Sequence, residues 1–226
     1  MFNSTFIQKI KNKIFPFYKN RELKLVFKIL QEGHSKETKV AMFVGGCVRK
    51  YLANEKINDI DIATSLSIDS LKQKFKDTNF KIIDTGVEHG SVTLITNDLK
   101  LEITTLRKDV KTDGRHAEIE YTENWQEDSN RRDFTINAIY LDINGKIFDP
   151  QSGVLDLKNR IVKFIGDPNK RIEEDYLRIL RFIRFSLEYS SAIDKSTVKA
   201  VKLNLDGIKK ISKERIYSEL LKILSL

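Results

Sequence analysis

The stretch FVGGCVRKYL at residues 43–52, followed by DIDIA at residues 59–63, determines how the rest of the chain is interpreted. An apolar run that ends in Gly45 and Gly46 and continues with helical spacing predicts a strand, a tight turn and a helix. Two adjacent glycines let an anion approach the main chain, and the free N–H groups of the next helix favour phosphate there. Arg49, in the first turn of that helix, can add a bidentate contact. The motif predicts a phosphate-binding turn, and a turn that only serves packing is the alternative.

A pair of carboxylates follows this turn. Asp59 and Asp61 are two residues apart in an alternating segment, so in a strand both side chains point to the same face. Two acids this close repel each other unless a cation lies between them, and hard oxygen ligands suit Mg²⁺. Glu102 lies in a second alternating segment that can pair in the same sheet. Three such carboxylates predict a two-metal site and nucleotidyl transfer, whereas a solvated edge strand is the alternative.

The composition is that of an ordinary globular chain with a basic surface. Of the 226 residues, 40% are hydrophobic, which is enough for one domain of moderate size and a small second one. Lys and Arg number 40 against 32 Asp and Glu, and the net charge of +8 favours a polyanionic partner such as RNA. Cys47 is the only cysteine, which excludes an intrachain disulfide and favours a reducing, cytoplasmic compartment. No apolar run approaches the length of a membrane span.

The hydrophobic pattern predicts an α+β fold in which a mixed sheet with helices on one face is followed by a small all-helical domain. Helices are predicted at residues 22–31, 47–53, 68–75 and 169–189, followed by one capped by Asp194 and one capped by Ser212. Strands are predicted at residues 40–44, 80–84, 91–96, 100–105 and 161–165. We place a domain boundary near Pro150, with a catalytic domain at residues 1–150 and a helical domain at residues 151–226.

Two connecting segments have distinct patterns. Residues 108–130 are charged and polar apart from a short predicted strand at residues 118–121, and we expect a mobile loop close to the active site. Asn144 and Gly145 lie between two apolar runs and predict a hairpin.

A second group of polar residues, RRDFTIN at residues 131–137, follows that loop. Arg132 is a candidate for phosphate binding, and Asp133 or Asn137 for a hydrogen bond to a ribose hydroxyl. An ion-pair corner with a purely structural role is the alternative.

The segment RIEEDYLRILRFIR at residues 171–184 is predicted to be helical throughout. Helical spacing then places Asp175 beside Arg178 and aligns Arg178, Arg181 and Arg184 in one stripe. An apolar stripe is predicted next to it, at Leu177, Leu180 and Ile183. An acid and a guanidinium held side by side can hydrogen-bond the edge of a nucleobase, and an exposed helix with surface ion pairs is the alternative.

Taken together, these motifs resemble those of the class II tRNA nucleotidyltransferases, the CCA-adding enzymes, and of the related bacterial poly(A) polymerases within the polymerase β superfamily. The motifs are GGCVR at 45–49, DIDIAT at 59–64, EITTLR at 102–107, RRDFTINA at 131–138, DP at 149–150 with Gly153 and Asp156, EDYLR at 174–178 and ISKERI at 211–216. The resemblance extends from residue 43 to residue 219.

The resemblance implies a fold, an activity and residue roles. It implies template-independent addition of CMP and AMP from CTP and ATP to the 3′ end of tRNA, with Mg²⁺ and release of pyrophosphate. The implied metal ligands are Asp59 and Asp61, and the implied phosphate ligands are Gly46 and Arg49. Arg132 would bind the nucleotide, with Asp175 and Arg178 selecting the base and Arg181 and Arg184 beside it.

The chain departs from the family pattern in two places. Lys50 stands where the family usually has an aspartate, and the chain ends at Leu226, after the head and neck domains and before the body and tail domains. A poly(A) polymerase, a CC-adding enzyme and one subunit of a split enzyme that needs a partner chain for tRNA binding are the alternatives. A non-catalytic nucleotide- or RNA-binding subunit is the alternative outside the enzyme class.

Overall fold

The computed structural model of the chain describes residues 4–86, 90–96, 99–113, 116–192 and 194–226. Its α-helices are α1 (Ser4–Ile14), α2 (Arg21–Gln31), α3 (Gly46–Ala53), α4 (Ile68–Phe75), α5 (Trp125–Asn130), α6 (Gly153–Lys158), α7 (Pro168–Glu174), α8 (Leu177–Glu188), α9 (Lys195–Leu203) and α10 (Lys213–Leu224). Its strands are β1 (Ala41–Val44), β2 (Ile60–Thr64), β3 (Lys81–Gly86), β4 (Ser91–Ile95), β5 (Lys100–Thr105), β6 (Arg107–Asp113), β7 (His116–Tyr121), β8 (Tyr140–Leu141) and β9 (Ile147–Phe148). Within these ranges no helix is both long and apolar enough to span a bilayer.

The central element is a mixed sheet whose strands, in the described residues, follow the order β3-β4-β5-β2-β1-β8-β9. Strands β2 and β5 are parallel and pair Asp61 with Glu102, whereas the other neighbouring pairs are antiparallel. A parallel pair requires a crossover connection, and here that connection contains α4, β3 and β4. The predicted mixed sheet is therefore confirmed, and the crossover brings two acids that are distant in sequence onto adjacent strands.

The two faces of the sheet are covered differently. On one face the strands and α2, α3 and α4 share the main core, whose members include Val26, Phe43, Val48, Ile62, Leu71, Leu101 and Ile103. A smaller cluster on the other face contains Met42, Val44, Ala63 and Tyr140, packed against Trp125 of α5. Because side chains alternate along a strand, Asp61 and Glu102 face away from α2, α3 and α4. This leaves part of that second face available for a polar site.

The helices after residue 166 pack around a second core. Its buried members are Phe134, Ile136, Val162, Phe164, Ile172, Ile179, Phe182, Phe185 and Ala200. Phe134 contributes to it from the segment that precedes β8, with ring centres 4.7 Å from Phe164 and 5.5 Å from Phe185. The predicted helical region is confirmed, and its core is continuous with a segment assigned to the first domain.

Close packing of α6 connects the two regions. A Cβ added at Gly153, the first residue of α6, would lie 2.1 Å from the backbone oxygen of Thr135, so only glycine fits there. Val154 and Leu157 of this helix pack against the main core, and Leu157 also contacts the second core. The domain boundary at residue 150 stays a prediction, since side chains on both sides of it contribute to each core.

The expectation of a loop without regular structure at residues 108–130 is wrong, although the short strand predicted at residues 118–121 lies within β7. The mobility of this segment stays a prediction. Strands β6 and β7 form an antiparallel two-stranded ribbon that pairs Arg107 with Tyr121 and Lys108 with Glu120, and α5 follows it. The prediction failed because the residues of β6, RKDVKTD, have almost no apolar alternation, which is the pattern from which strands are predicted.

Three other expectations are corrected. The helix predicted at residues 169–189 is broken, because Asp175 has an extended backbone with φ −156° between α7 and α8. The strand predicted at residues 161–165 consists only of the isolated bridges of Ile161 with Ala192 and of Phe164 with Phe134. The predicted apolar stripe is also wrong, since Ile183 is exposed while Ile179 and Phe182 are buried.

Several other predicted elements agree with the structure. Strand β5 and helix α4 have the predicted bounds, α2 and β4 differ from theirs by one residue, and the hairpin turn at Asn144 and Gly145 joins β8 to β9. Asp194 caps α9 by accepting from the backbone N–H of Thr197. Asn97 and Asp98 lie between two alternating segments and predict a turn, but both residues are outside the described part of the chain. Residues 87–89 and Gly114 also lie outside it.

Candidate active site

The glycine turn between β1 and α3 borders both a carboxylate and a guanidinium. Gly45 has φ 71° and ψ −128°, a left-handed backbone that favours glycine. A Cβ added there would lie 3.7 Å from Asp61 Oδ2 and 3.9 Å from Arg132 Nη1. Gly46 begins α3, and a Cβ added there would meet no atom within 4 Å. The turn therefore has the shape and the open space that a phosphate-binding turn requires.

Three acids lie on the exposed face of the sheet beside this turn. Asp59 precedes β2 and is exposed, while Asp61 and Glu102 are neighbours in the parallel pair of β2 and β5. Within the described ranges none of these carboxylates accepts a hydrogen bond or forms an ion pair. Burial and the negative charge of Glu102 raise the pKa of Asp61 to about 6, although Arg132 acts in the opposite direction. An uncompensated, partly buried carboxylate of this kind attracts a cation.

The acids fit a divalent cation as partial ligands. They border a cavity of about 300 Å³ that is also lined by Ser91, Thr93 and Lys100. No group of three or more His, Cys, Asp or Glu side chains in the described part of the chain is arranged to hold a metal by itself. The two-metal site predicted from the three acids therefore stays a prediction, with Asp59 and Asp61 as its expected ligands. Mg²⁺ is usually bound through one or two carboxylates and keeps several waters, so Asp59 and Asp61 would be sufficient protein ligands for such an ion.

Arg49 is buried and reaches the helical region. Only 5% of it is exposed. Its Nε donates to the hydroxyl of Tyr189 at 2.9 Å, its Nη1 donates to Asn137 Oδ1, and its guanidinium carbon lies 4.6 Å from the ring centre of Phe185. Neutral side chains thus hold Arg49 in place, so the lysine at position 50 does not prevent an ordered arrangement.

Arg132 is fixed by a buried acid that the sequence analysis missed. Asp128 of α5 is completely buried and accepts from Arg132 Nε and Nη2, from Arg131 and from the hydroxyl of Tyr140. Although burial alone would raise it, the guanidiniums of Arg132 and Arg131 hold the pKa of Asp128 well below its usual range. Within the described residues Arg132 Nη1, which faces the glycine turn, makes no hydrogen bond. It is available for an anion.

Asp133 and Asn137 are used inside the protein. Asp133 Oδ2 accepts from Arg181 Nε at 2.7 Å, and its Oδ1 accepts from the backbone N–H of Phe134 and from Asn137 Nδ2. Although burial opposes it, the charge of Arg181 helps to lower the pKa of Asp133 to about 2. Both carboxylate oxygens thus have donors within the protein, and Asp133 holds Arg181 in place. The predicted hydrogen bond from Asp133 or Asn137 to a ribose stays a prediction.

The expected pairing of Asp175 with Arg178 is wrong. Arg178 Nη1 donates to Glu174 Oε2 at 2.5 Å, whereas Asp175 Oδ2 accepts from Arg215 Nη2 of α10 at 2.7 Å. The helix break at Asp175 changes the direction of its side chain, so i,i+3 spacing no longer predicts a contact. Both side chains nevertheless lie at the junction of α7 and α8.

Two further arginines of the helical region have structural partners. Arg184, expected beside a nucleotide, is buried and donates through Nε to Glu219 Oε1 at 2.5 Å. Arg171, which the sequence analysis did not single out, donates to the backbone oxygens of Arg131 and Arg132 and to Glu174. Arg171 therefore connects α7 to the segment that carries Arg132. The sequence has no signal for Glu219 as the partner of Arg184, because the two residues are 35 positions apart and lie on different helices.

Two family models match the chain. One, described as the poly A polymerase head domain, matches residues 41–163, and the other, described as a probable RNA and SrmB-binding site of polymerase A, matches residues 192–226. The first match contains the glycine turn, the three acids and Arg132. It therefore coincides with the site built above.

Named relatives and solved structures agree with these matches. The chain is 44% identical over 204 residues to "CCA tRNA nucleotidyltransferase 1, mitochondrial" of Homo sapiens, covering 87% of this chain and 46% of that protein. The structure of the CCA-adding enzyme of Bacillus stearothermophilus in complex with CTP has a TM-score of 0.78 at 34% identity, covering 91% of this chain and 49% of that one. A tRNA nucleotidyltransferase complexed with a primer tRNA and an incoming ATP analogue has a TM-score of 0.67 at 29% identity, covering 82% of this chain and 56% of that one. The chain thus spans about half the length of these relatives.

Proposed function

Since this chain belongs to the poly A polymerase head-domain family, together with the CCA-adding enzymes, we propose that it is a template-independent RNA nucleotidyltransferase. It adds CMP and AMP from CTP and ATP to the 3′ end of tRNA and releases pyrophosphate. The observation that carries the proposal is the position of the Asp61 carboxylate, 3.7 Å from where a side chain at Gly45 would begin. A metal ligand and a phosphate-binding turn are thereby adjacent, as transfer of a nucleotidyl group requires.

Asp59 and Asp61 are the proposed metal ligands, with Mg²⁺ as the metal because the available ligands are carboxylate oxygens. When bound, the metal would lower the pKa of the primer hydroxyl and neutralise the triphosphate charge. The proposed role of Glu102 is electrostatic: its charge adds to the negative potential that Asp61 experiences. The backbone of Asp61 is held in place by the sheet, which limits the reorganisation of this acid during the reaction.

The phosphates are proposed to bind at the glycine turn. Gly45 and Gly46 allow the main chain to approach them, and the N-terminus of α3 supplies N–H groups. Arg132 Nη1 and Arg49 supply positive charge, and both guanidiniums act electrostatically on Asp61. Asp128 keeps Arg132 oriented, so this charge is already in place before the nucleotide binds.

The proposed base-selecting residues are Asp175 and Arg178, with Arg181 beside them. They would act through separate hydrogen bonds, because each is held by its own partner in the structure. If Asp175 accepts from the exocyclic amine shared by cytosine and adenine, Asp175→Ala is expected to reduce discrimination against UTP by roughly 1–3 kcal/mol. Incorporation rates measured for the four nucleotides in parallel check this result.

Glu173→Ala is the matched control for this variant, because Glu173 is the exposed neighbour on α7. It is expected to leave the ratio of CTP to UTP incorporation unchanged. An unchanged ratio in Asp175→Ala as well would remove this junction from base selection.

The ribbon of β6 and β7 is proposed to help accept the larger purine. Replacing residues 109–120 with a short glycine linker is expected to slow AMP addition more than CMP addition, because reshaping of the pocket for adenine needs an adjacent movable segment. Single-turnover incorporation of each nucleotide into tRNA ending in CC or lacking CCA measures the two effects separately. Equal losses would assign the ribbon a general structural role.

The proposed function is tested by incubating the 226-residue chain with labelled CTP and ATP and a tRNA that lacks its CCA end. Sequential incorporation of two CMP residues and one AMP supports it. Incorporation of AMP alone in long tracts would indicate a poly(A) polymerase, and CMP alone a CC-adding enzyme. No incorporation by the chain, with activity restored by a second polypeptide that binds tRNA, would support the proposed partner chain of a split enzyme.

Two further assignments are also proposals: the cellular location, and the division into a head domain at residues 1–150 and a neck domain at residues 151–226. We propose a cytoplasmic location because the one cysteine of the sequence cannot form an intrachain disulfide, as is usual in a reducing compartment, although a matched relative is named as mitochondrial. Limited proteolysis that produces a stable fragment ending near residue 150 would support the division. Cleavage near residue 163, where the head-domain match ends, would place the boundary later.

A further inference from the structure

Tyr189 connects the end of α8 to the helix that follows the glycine turn. Its hydroxyl accepts from Arg49 Nε at 2.9 Å, across 140 positions of sequence, and its ring centre lies 5.8 Å from the guanidinium carbon. Tyr189 lies outside the segments that the two family models match. The contact therefore joins a proposed phosphate ligand to a residue for which the sequence analysis predicted no role.

The same hydroxyl faces two acids. It lies 3.4 Å from Glu55 Oε2 and 3.3 Å from Glu188 Oε1. Burial raises the pKa of Tyr189, so the hydroxyl keeps its proton at neutral pH. It can then donate to one carboxylate while it accepts from Arg49. The neutral hydroxyl thereby links the cation to one of the two neighbouring anions and defines the position of the guanidinium.

The remaining contacts of Arg49 limit its orientation further. Its Nη1 donates to Asn137 and its guanidinium lies against the ring of Phe185. Within the described residues, Nη2 makes no hydrogen bond, and it is not among the buried atoms that lack a partner. The guanidinium thus has one edge held by the protein and one nitrogen open to an additional acceptor.

We propose that Tyr189 is a positioning residue that holds Arg49 for the triphosphate of the incoming nucleotide, an inference that rests on the proposed function. A long arginine side chain loses conformational freedom when it binds a ligand, and fixing it beforehand removes that cost from binding. The hydroxyl of Tyr189 provides this fixing from the helical region, so the triphosphate site is complete only when α8 is packed against α3.

Tyr189→Phe tests the proposal because it removes the hydroxyl and keeps the ring. We expect CTP to bind about tenfold more weakly, since a hydrogen bond to a charged group contributes on this order, while the affinity for CMP stays the same. Calorimetric titration with CTP and CMP in a Mg²⁺ buffer measures both. A purely structural role would change the two affinities together or not at all.

A second measurement follows Arg49 itself. In wild type, the Nε–H proton of Arg49 is expected to exchange slowly with water and to give an NMR signal assignable by its loss in Arg49→Lys. The signal is expected to disappear in Tyr189→Phe. Tyr217→Phe is the matched control, because Tyr217 is 65% exposed on α10, and it should retain both the signal and the CTP affinity.

The outcomes separate this inference from the proposed function. A preserved Arg49 signal or an unchanged CTP affinity in Tyr189→Phe overturns the positioning role. If the wild type still incorporates nucleotides, the proposed function is unaffected by that result. Wild type that binds neither CTP nor ATP overturns the proposed function and, with it, a triphosphate role for Arg49. Equal weakening of CTP and CMP binding would assign Tyr189 to packing alone.

Discussion

Asp61→Asn is expected to reduce nucleotide incorporation by about a thousandfold. The substitution removes a proposed metal ligand and keeps the shape of the side chain. Metal coordination contributes several kcal/mol to stabilisation of the transition state, and about 1.4 kcal/mol corresponds to a factor of ten in rate. Single-turnover incorporation of CMP with saturating Mg²⁺ measures the loss. Asp59→Asn should have a similar effect if both acids hold metal.

The same substitution is expected to stabilise the metal-free protein. Burial and Glu102 raise the pKa of Asp61 to about 6 from its ordinary value of 3.8, so the folded state disfavours the charged form. The resulting penalty is present above pH 6 and is relieved as the pH falls through about 6, because the folded state then binds the proton. Thermal unfolding in EDTA should therefore show a higher Tm for Asp61→Asn at pH 8 and a smaller difference at pH 5.

Asp84→Asn is the control for both measurements. Asp84 lies on the edge strand β3, where its side chain is 52% exposed and pairs with Lys72. It should retain full activity and change stability only slightly. If Asp61→Asn kept its Mg²⁺-dependent activity, Asp61 would not be a metal ligand. If it lost activity and also destabilised the metal-free protein, the loss would be attributed to unfolding.

Asp128→Asn is expected to destabilise the protein by about 3–5 kcal/mol, because removing one partner of a buried ion pair leaves the other charge without compensation. Asp128 is completely buried and is the shared partner of Arg131 and Arg132. Equilibrium unfolding in urea at pH 7 measures the change. Its effect on incorporation should exceed what the lost stability explains, since Arg132 would no longer be oriented toward the glycine turn.

The dependence on pH distinguishes this role from packing. The pKa of Asp128 is lowered in the folded state, so its contribution to stability is present above its ordinary value of 3.8 and is lost as the pH falls below that value. The difference between wild type and Asp128→Asn should therefore shrink in acid. Asp206→Asn, at a side chain that is 92% exposed and paired with Lys209, is the control, and it should change stability by less than about 1 kcal/mol at any pH. A pH-independent difference would assign Asp128 to packing.

The local pattern of the sequence was sufficient for several elements of the fold. Alternation predicted β5, helical periodicity predicted α4, and turn residues predicted the hairpin at Asn144 and Gly145. Each depends on interactions within a few residues. The glycine turn and the two acids of residues 59–61 were identified in the same way. Their chemical role was inferred from residue type, and a period of two determined that Asp61 faces away from Ile62.

The tertiary structure alone decided which charged groups meet. Sequence spacing paired Asp175 with Arg178. Because the helix is broken at Asp175, this acid pairs instead with Arg215, and Arg178 pairs with Glu174. Such partners depend on the path of the backbone, which one extended residue is enough to change.

The partners of three arginines could likewise not be predicted. Arg49 contacts Tyr189, Arg132 contacts Asp128 and Arg184 contacts Glu219. Each contact joins side chains that are brought together by packing of separate helices and strands. The amino-acid sequence by itself determined the local elements, the glycine turn and the acids of the candidate site. Only the tertiary structure decided how the arginines around them are held, because burial and long-range proximity, and not periodicity, select the partner of a charge.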